Sequence, residues 1–354
     1  MNMNICLFNP ALRDNQKRPS ENLGDFIIEE AVKRELFSLF PNVNLFELST
    51  HVVPSYKHHL SIASKCDLIF AGGTNLLNSH MKSFQQWKLS LKQKITLGKA
   101  ILFGVGWAKY ESTPDLYTQL SINCLLSKKI IHSTRDSYTL KQLNSIGIKN
   151  VLNTGCPTMW PFLEFDFSKI PHRKSRTVLV MITDYAKDYQ LDKQLIETAI
   201  DNYESVIFWP QGKGDLDYII ELLLAINNMT VNVEIVGSSR VKDSNIINNL
   251  KSRLILLEHS LEGFNNLLES DIEFDYIGTR LHGGIKCLLS CRRSLILEID
   301  NRAAEIAKDT GLPTVKRGEI DKIKNWIISP SMTEIYLDPE PIKQWRSQFN
   351  MAVK

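Results

Sequence analysis

The chain has 354 residues, 43% hydrophobic and 23% charged, which is the composition of a soluble globular protein and suits two ordinary domains better than one. The formal charge of +3 comes without a basic tail, which argues against nucleic-acid binding and is compatible with a small anionic ligand held by local positive charge. The six cysteines, Cys6, Cys66, Cys124, Cys156, Cys287 and Cys291, form no CxxC and read as free thiols of a reducing compartment.

From the start, Met1-Asn2-Met3-Asn4 leads at once into the apolar run Ile5-Cys6-Leu7-Phe8, a first strand. The basic start and long apolar core of a secretion signal are missing there, and no run approaches the roughly 18 apolar residues of a membrane span. A cytoplasmic protein is expected, with room for peripheral contact with the inner face of a membrane. A helix follows, with Ile28, Val32, Leu36 and Leu39 on one face. Strands are then expected at Asn44 to Leu48, Asp67 to Ala71, Ala100 to Gly104, Lys129 to His132 and Asn150 to Leu152. Glycines close several of these runs and helical patterns separate them, the rhythm of a parallel sheet covered on both faces.

The rhythm restarts after the polar, basic stretch Asp166 to Arg176. Thr177 to Ile182 is the strongest strand signal. Ser205 to Trp209, Val231 to Val236, Leu254 to Leu257, Ile272 to Ile277 and Ser294 to Ile299 then alternate with helices. The fold class is therefore α/β, with two Rossmann-like doubly wound domains facing a cleft: residues 1–165, residues 177–337, and a C-terminal helix in 338–354 that repeats Trp345, Phe349 and Val353 every four residues. Sheets of this kind bind ligands beyond the carboxyl ends of their strands.

Five constellations lie at such ends. Asn22-Leu23-Gly24-Asp25 precedes a helix, where Asp25 suits either a cap or a sugar hydroxyl, and Gly24 lets backbone approach a ligand. Gly72-Gly73-Thr74-Asn75 is either a plain tight turn or one whose amides point at an anion. Arg135 opens a helix after His132-Ser133-Thr134, an end whose dipole disfavours a cation, and this misfit points to an anionic partner beyond the neighbouring Asp136. In Thr279-Arg280-Leu281-His282-Gly283-Gly284, Arg280 and His282 flank the core residue Leu281 in the first turn of a helix. They add a fork-shaped cation and a titratable imidazole to a positive helix end, and Gly283 and Gly284 keep the turn open. Arg302, after Asp300-Asn301, opens another helix, with Glu298 or Glu305 as the partners of a purely structural role.

Gln211, in Trp209-Pro210-Gln211-Gly212, ends a strand and either contacts a sugar or only turns the chain. His51, His58, His59 and His80 lack metal-ligand spacing, and neither HExxH nor GxSxG is present, so no metal and no cofactor are expected.

Asn22-Leu23-Gly24-Asp25, the strand ending in Gly72-Gly73, Arg135-Asp136, Gly155-Cys156-Pro157 and Arg280-Leu281-His282-Gly283 resemble, in order and spacing, the polysaccharide pyruvyl transferase family. The likeness runs from about Asn22 to Gly311. It implies a two-domain fold similar to glycosyltransferases of the B type. It also implies transfer of the enolpyruvyl carbons of phosphoenolpyruvate to a saccharide as a pyruvate ketal on a bacterial surface glycan or its precursor, with release of phosphate. Arg135 and Arg280 then match the positions that bind the donor's phosphate and carboxylate, and His282 matches the acid or base. Asn22, Gly24, Asp25, Gly72, Gly73, Thr74, Asn75, Gln211, Gly283, Asn301 and Arg302 are the expected substrate contacts. The acceptor saccharide can be lipid-linked on this reading. Thr74 stands where a third glycine is common, Arg302 where lysine is frequent, and Ser290-Cys291-Arg292-Arg293 where Gly-x-Pro is usual. The alternative is a nucleotide-sugar glycosyltransferase of similar architecture, with Glu298 or Asp300 holding a ribose.

Overall fold

The apolar runs form two parallel sheets, and the computed structural model describes them over residues 3–226, 233–238 and 253–350. In the first half, β1 (Met3–Asn9), β2 (Val43–Ser49), β3 (Leu68–Gly72) and β4 (Ala100–Phe103) pair in the order β2-β1-β3-β4. A second parallel pair, β5 (His132–Thr134) and β6 (Val151–Asn153), continues this sheet. Gly104 N donates to Ser133 O (3.0 Å), and Val105 bridges Thr134. The fifth strand was expected from Lys129, but it starts at His132. The Ser127 hydroxyl accepts from the amides of Lys129 and Ile130 and holds that stretch as a turn.

The second sheet has seven parallel strands in the order β13-β12-β11-β7-β8-β10-β9. They are β7 (Thr177–Met181), β8 (Ser205–Phe208), β9 (Val233–Val236), β10 (Leu254–Leu257), β11 (Phe274–Gly278), β12 (Ser294–Glu298) and β13 (Thr314–Lys316). The strongest strand signal, β7, is central, where both faces are buried and continuous apolar character is required. The expected strand at Val231 begins on two residues outside the described ones. β13 has three residues, too few to leave a pattern in sequence.

Strands this short cannot cover themselves, so helices close both faces of each sheet. The helix Gly24–Leu39 buries Ile28, Val32 and Leu36 on the first sheet. The helix Pro339–Ser347 carries the chain back to that sheet. Its Trp345 is fully buried and stacks on Phe103 at 4.4 Å between ring centres, while Phe349 meets Phe40 and Phe70. Val353, the third member of the expected repeat, lies outside the described residues. The result is a Rossmann-like two-domain α/β fold. Among the described residues, no helix is long and apolar enough to cross a membrane.

Candidate active site

Arg280 is the N-cap of the helix Leu281–Leu289, directly after β11. It is only 4% exposed. Its guanidinium grips Asp215: Nε donates to Oδ2 at 2.9 Å and Nη2 to Oδ1. Nη2 also lies 3.5 Å from Asp184 Oδ1. Asp215, fully buried, accepts in addition from the amides of Gly212 (2.7 Å) and Asp184 (2.9 Å). This bidentate pair fixes the plane of the fork before any ligand arrives.

Arg302 was expected to pair, if structural, with Glu298 or Glu305. It pairs instead with Asp300, the N-cap of its own helix Asn301–Thr310: Nε lies 3.0 and 2.9 Å from the two carboxylate oxygens, and Nη2 lies 2.6 Å from Oδ2. Its Nη2 also donates to the Tyr185 hydroxyl. The Tyr185 ring lies over both cations, 5.1 Å from the Arg280 guanidinium and 5.7 Å from that of Arg302.

Arg135 precedes Asp136, the N-cap of the helix Ser137–Ser145. It is 1% exposed. Nε donates to Asp136 Oδ2 at 3.2 Å and Nη2 to Asn75 Oδ1 at 2.8 Å, while Nη1 is buried without a partner. The Asp136 pair is therefore present, but it does not use up the arginine. The Gly72-Gly73-Thr74-Asn75 turn explains how Asn75 reaches it. Gly73 and Thr74 both take left-handed backbone, with φ of 61° each. The Gly73 amide donates to Phe103 O (2.7 Å), so it is not free to hold an anion as one reading of the turn required. Gly72 packs against Val32 and Leu7, a helix contact rather than a ligand contact.

His282 is fully inside, 6% exposed, with Nε2 3.8 Å from Cys156 Sγ, whose sulfur also receives the Thr158 hydroxyl at 3.0 Å. An imidazole of near-neutral acidity was expected here. Burial, with the nearby charges of Arg302 and Arg135, holds it down to about 3, so the ring is neutral around pH 7. Gly283 and Gly284 do not face open space either. A Cβ at Gly283 would sit 2.6 Å from Met181 Sδ, and one at Gly284 2.6 Å from Ile296, so these glycines let the helix press onto the sheet.

The N-terminal half contributes Asp25. It does not cap its helix, whose N-cap is Leu23 with no side-chain cap. Its carboxylate instead accepts from Ser20 Oγ (2.7 Å) and Asn22 Nδ2 (3.0 Å). Burial raises its pKa to about 6, with the Ser20 hydrogen bond and the charges of His51, Arg302 and Arg280 pulling the other way. Asn22 pairs across the halves: Gln211 Nε2 donates to Asn22 Oδ1 at 3.1 Å, and Leu23 N to Gln211 O at 2.8 Å. Gly24 is needed because a side chain there would strike Gln211. Asn301 Nδ2 donates to Trp107 O (3.1 Å), a second crossing. Tyr110 to Glu305 (2.7 Å) and the Ser137 amide to Asp309 (2.7 Å) are others. The cleft expected between the domains is closed in this state by these contacts.

Among the described residues, the buried polar atoms of this region without a partner include Arg135 Nη1, Gln211 Oε1 and Asn301 Oδ1. Such atoms are costly to leave unpaired, and they mark where a polar ligand would sit. Asp184, Tyr185, Asp215 and Thr158 were not anticipated, and Asp300 was expected only as a ribose partner in the alternative reading, not as the partner of Arg302. Their signal was position alone, since Asp184 and Tyr185 follow β7 and Asp300 follows β12.

The model of the polysaccharide pyruvyl transferase family matches residues 22–301. The chain belongs to this family. Its members act in the pyruvylation of polysaccharide, so a saccharide acceptor is implied. No curated protein matches. Among solved structures, the UDP-GlcNAc 2-epimerase of Methanocaldococcus jannaschii, in complex with UDP-GlcNAc and UDP, is similar with a TM-score of 0.52 at 9% identity, over 100% of each chain. That likeness is one of fold. Within the pyruvyl transferase, the motif positions are therefore carried by two sheets whose strand ends meet, and Arg280, Arg302, Arg135 and His282 lie at that meeting.

Proposed function

We propose that the protein transfers the pyruvyl group of phosphoenolpyruvate to a saccharide as a ketal, releasing phosphate, in the cytoplasm. The observation that carries this is the set of arginines whose charge reaches His282 and Asp25, beside three buried polar atoms without partners. Phosphoenolpyruvate carries a phosphate and a carboxylate on a small frame. Arg135 and Arg280 bind these two groups, and Arg302 adds charge at the same centre. Gln211 Oε1 and Asn301 Oδ1 accept from hydroxyls of the acceptor.

The donor also solves the problem of the neutral histidine. Burial is the main cause that keeps His282 neutral, with Arg302 and Arg135 adding to it; the donor's negative charge offsets those two cations and so raises the pKa of the imidazole. Protonated, His282 gives its proton to the methylene carbon. The second carbon becomes electrophilic and a saccharide hydroxyl bonds to it, losing its proton to Asp25. The C–O bond to phosphate breaks with its electron pair, and the arginines stabilise the leaving group. A second hydroxyl closes the ketal and gives its proton to the now neutral His282, which restores the acid. Asp25, near pH 6 in acidity, suits a base of neutral solution.

The test is incubation with phosphoenolpyruvate and candidate saccharides, read by mass spectrometry and phosphate release. A product heavier by one pyruvate ketal is expected. Stabilisation of the protein by uridine or guanosine diphosphate and not by phosphoenolpyruvate would refute the reading in favour of nucleotide-sugar chemistry.

A further inference from the structure

We propose that Asp184 and Tyr185, in the segment between β7 and the helix Tyr189–Asn202, form the subsite for the pyranose ring of the acceptor. This places a specificity determinant on the C-terminal half, outside every motif of the sequence. It rests on the pyruvyl-transfer reading above.

Tyr185 is 55% exposed, yet it is not loose. Arg302 donates to its hydroxyl, and its ring lies against the Arg280 guanidinium. An aromatic ring is thus held by the proposed donor-binding cations while about half of its surface stays open. Asp184 is held as firmly. Its amide donates to Asp215 Oδ1 (2.9 Å), and its carboxylate lies 3.5 Å from Arg280. Gly214 is the reason the carboxylate fits, because a side chain at that position would collide with it. The Asp184 side chain keeps 36% of its surface open. Just before it, Thr183 Oγ1 is buried without a partner.

A held, half-exposed aromatic ring beside a half-exposed carboxylate suits a sugar ring. The axial C–H face lies on the ring, and neighbouring hydroxyls donate to the carboxylate. Beside Tyr185 and its two arginines, the half-exposed Asp184 carboxylate would repel an anion from the open surface. A sugar seated there stands next to the donor held by those arginines.

Saturation-transfer NMR with methyl galactopyranoside, glucopyranoside and mannopyranoside tests this on the full chain, beside thermal shift with phosphoenolpyruvate. In the wild type, the ring protons of at least one glycoside should receive saturation. Tyr185→Phe should keep that binding. Tyr185→Ala and Asp184→Asn should each weaken it by about tenfold, a difference of about 1.4 kcal/mol. The phosphoenolpyruvate shift should survive in Tyr185→Phe and Asp184→Asn. The subsite is overturned if no glycoside binds the wild type, if Tyr185→Ala and Asp184→Asn bind as the wild type does, or if uridine diphosphate rather than any pyranoside is lost with the Tyr185 ring. Failure of phosphoenolpyruvate to shift the wild type sinks the donor reading instead, and leaves the glycoside result to be read by itself.

Discussion

Removing either partner of the buried Arg280–Asp215 pair abolishes the same contact, yet the two losses should differ. Asp215→Ala leaves a guanidinium that is 4% exposed and cannot give up its proton with only its 3.5 Å contact to the Asp184 carboxylate. Breaking a buried pair by removing one partner costs about 3–5 kcal/mol. The amides of Gly212 and Asp184 also lose their acceptor, at about 1 kcal/mol each. Arg280→Met strands a carboxylate instead, and that group escapes by binding a proton. Burial already raises its pKa above the usual value, with Arg280 the chief opposing charge, so the substitution raises it further. The native state of Arg280→Met then binds a proton that the unfolded chain has lost, and its stability falls as pH rises from about 4 through the raised value. Its deficit against the wild type should be small at pH 5 and grow toward pH 8, whereas that of Asp215→Ala should be large throughout. The double variant Arg280→Met/Asp215→Asn should recover more than half of the loss. Urea unfolding of the four proteins at pH 5, 6.5 and 8 measures this. An Arg280→Met deficit that is independent of pH, or as large as that of Asp215→Ala at pH 5, would refute the reasoning.

His282→Ala should lower turnover by about 100-fold or more while donor binding survives, because a proton-transfer group typically contributes about 10²–10⁴; unchanged phosphate release would remove it from the mechanism. Since His282 is neutral when the site is empty and its pKa rises when the donor binds, calorimetry in two buffers of different ionisation heat should report proton uptake with phosphoenolpyruvate at pH 7, and clearly less in His282→Gln. The raised pKa of Asp25, about 6, means its contribution to stability falls as pH rises from about 4 to 6, so Asp25→Asn should flatten the stability profile across that window in thermal shift. Trp345→Ala should cost about 3–5 kcal/mol and expose the first sheet to limited proteolysis, because a fully buried aromatic is lost from the contact that brings the C-terminal helix back; an unchanged digestion pattern would show that the helix is dispensable there.

The chain's own pattern carries the fold class, because continuous apolar runs at strand length leave few alternatives to sheets covered on both faces. It also carries the arginines and the histidine, since Arg135, Arg280 and Arg302 each stand at a helix start where a cation gains nothing from its own helix. Local sequence was less informative where neighbours decide the outcome. Whether Asp25 capped its helix or faced a ligand turned on Ser20, Asn22 and the arginines of the other half. Gly283 and Gly284 read as openness, and packing on Met181 and Ile296 made them close contacts. The acidity of His282 was beyond sequence altogether: an imidazole is ordinary until burial and two cations from different halves of the chain are brought to it. Asp215 and Tyr185 fell outside every motif, 65 and 95 residues from Arg280, because a salt bridge or a ring contact needs only spatial nearness. Pattern along the chain thus determined the layers and the charges, and only the meeting of the two sheets decided which charges face one another.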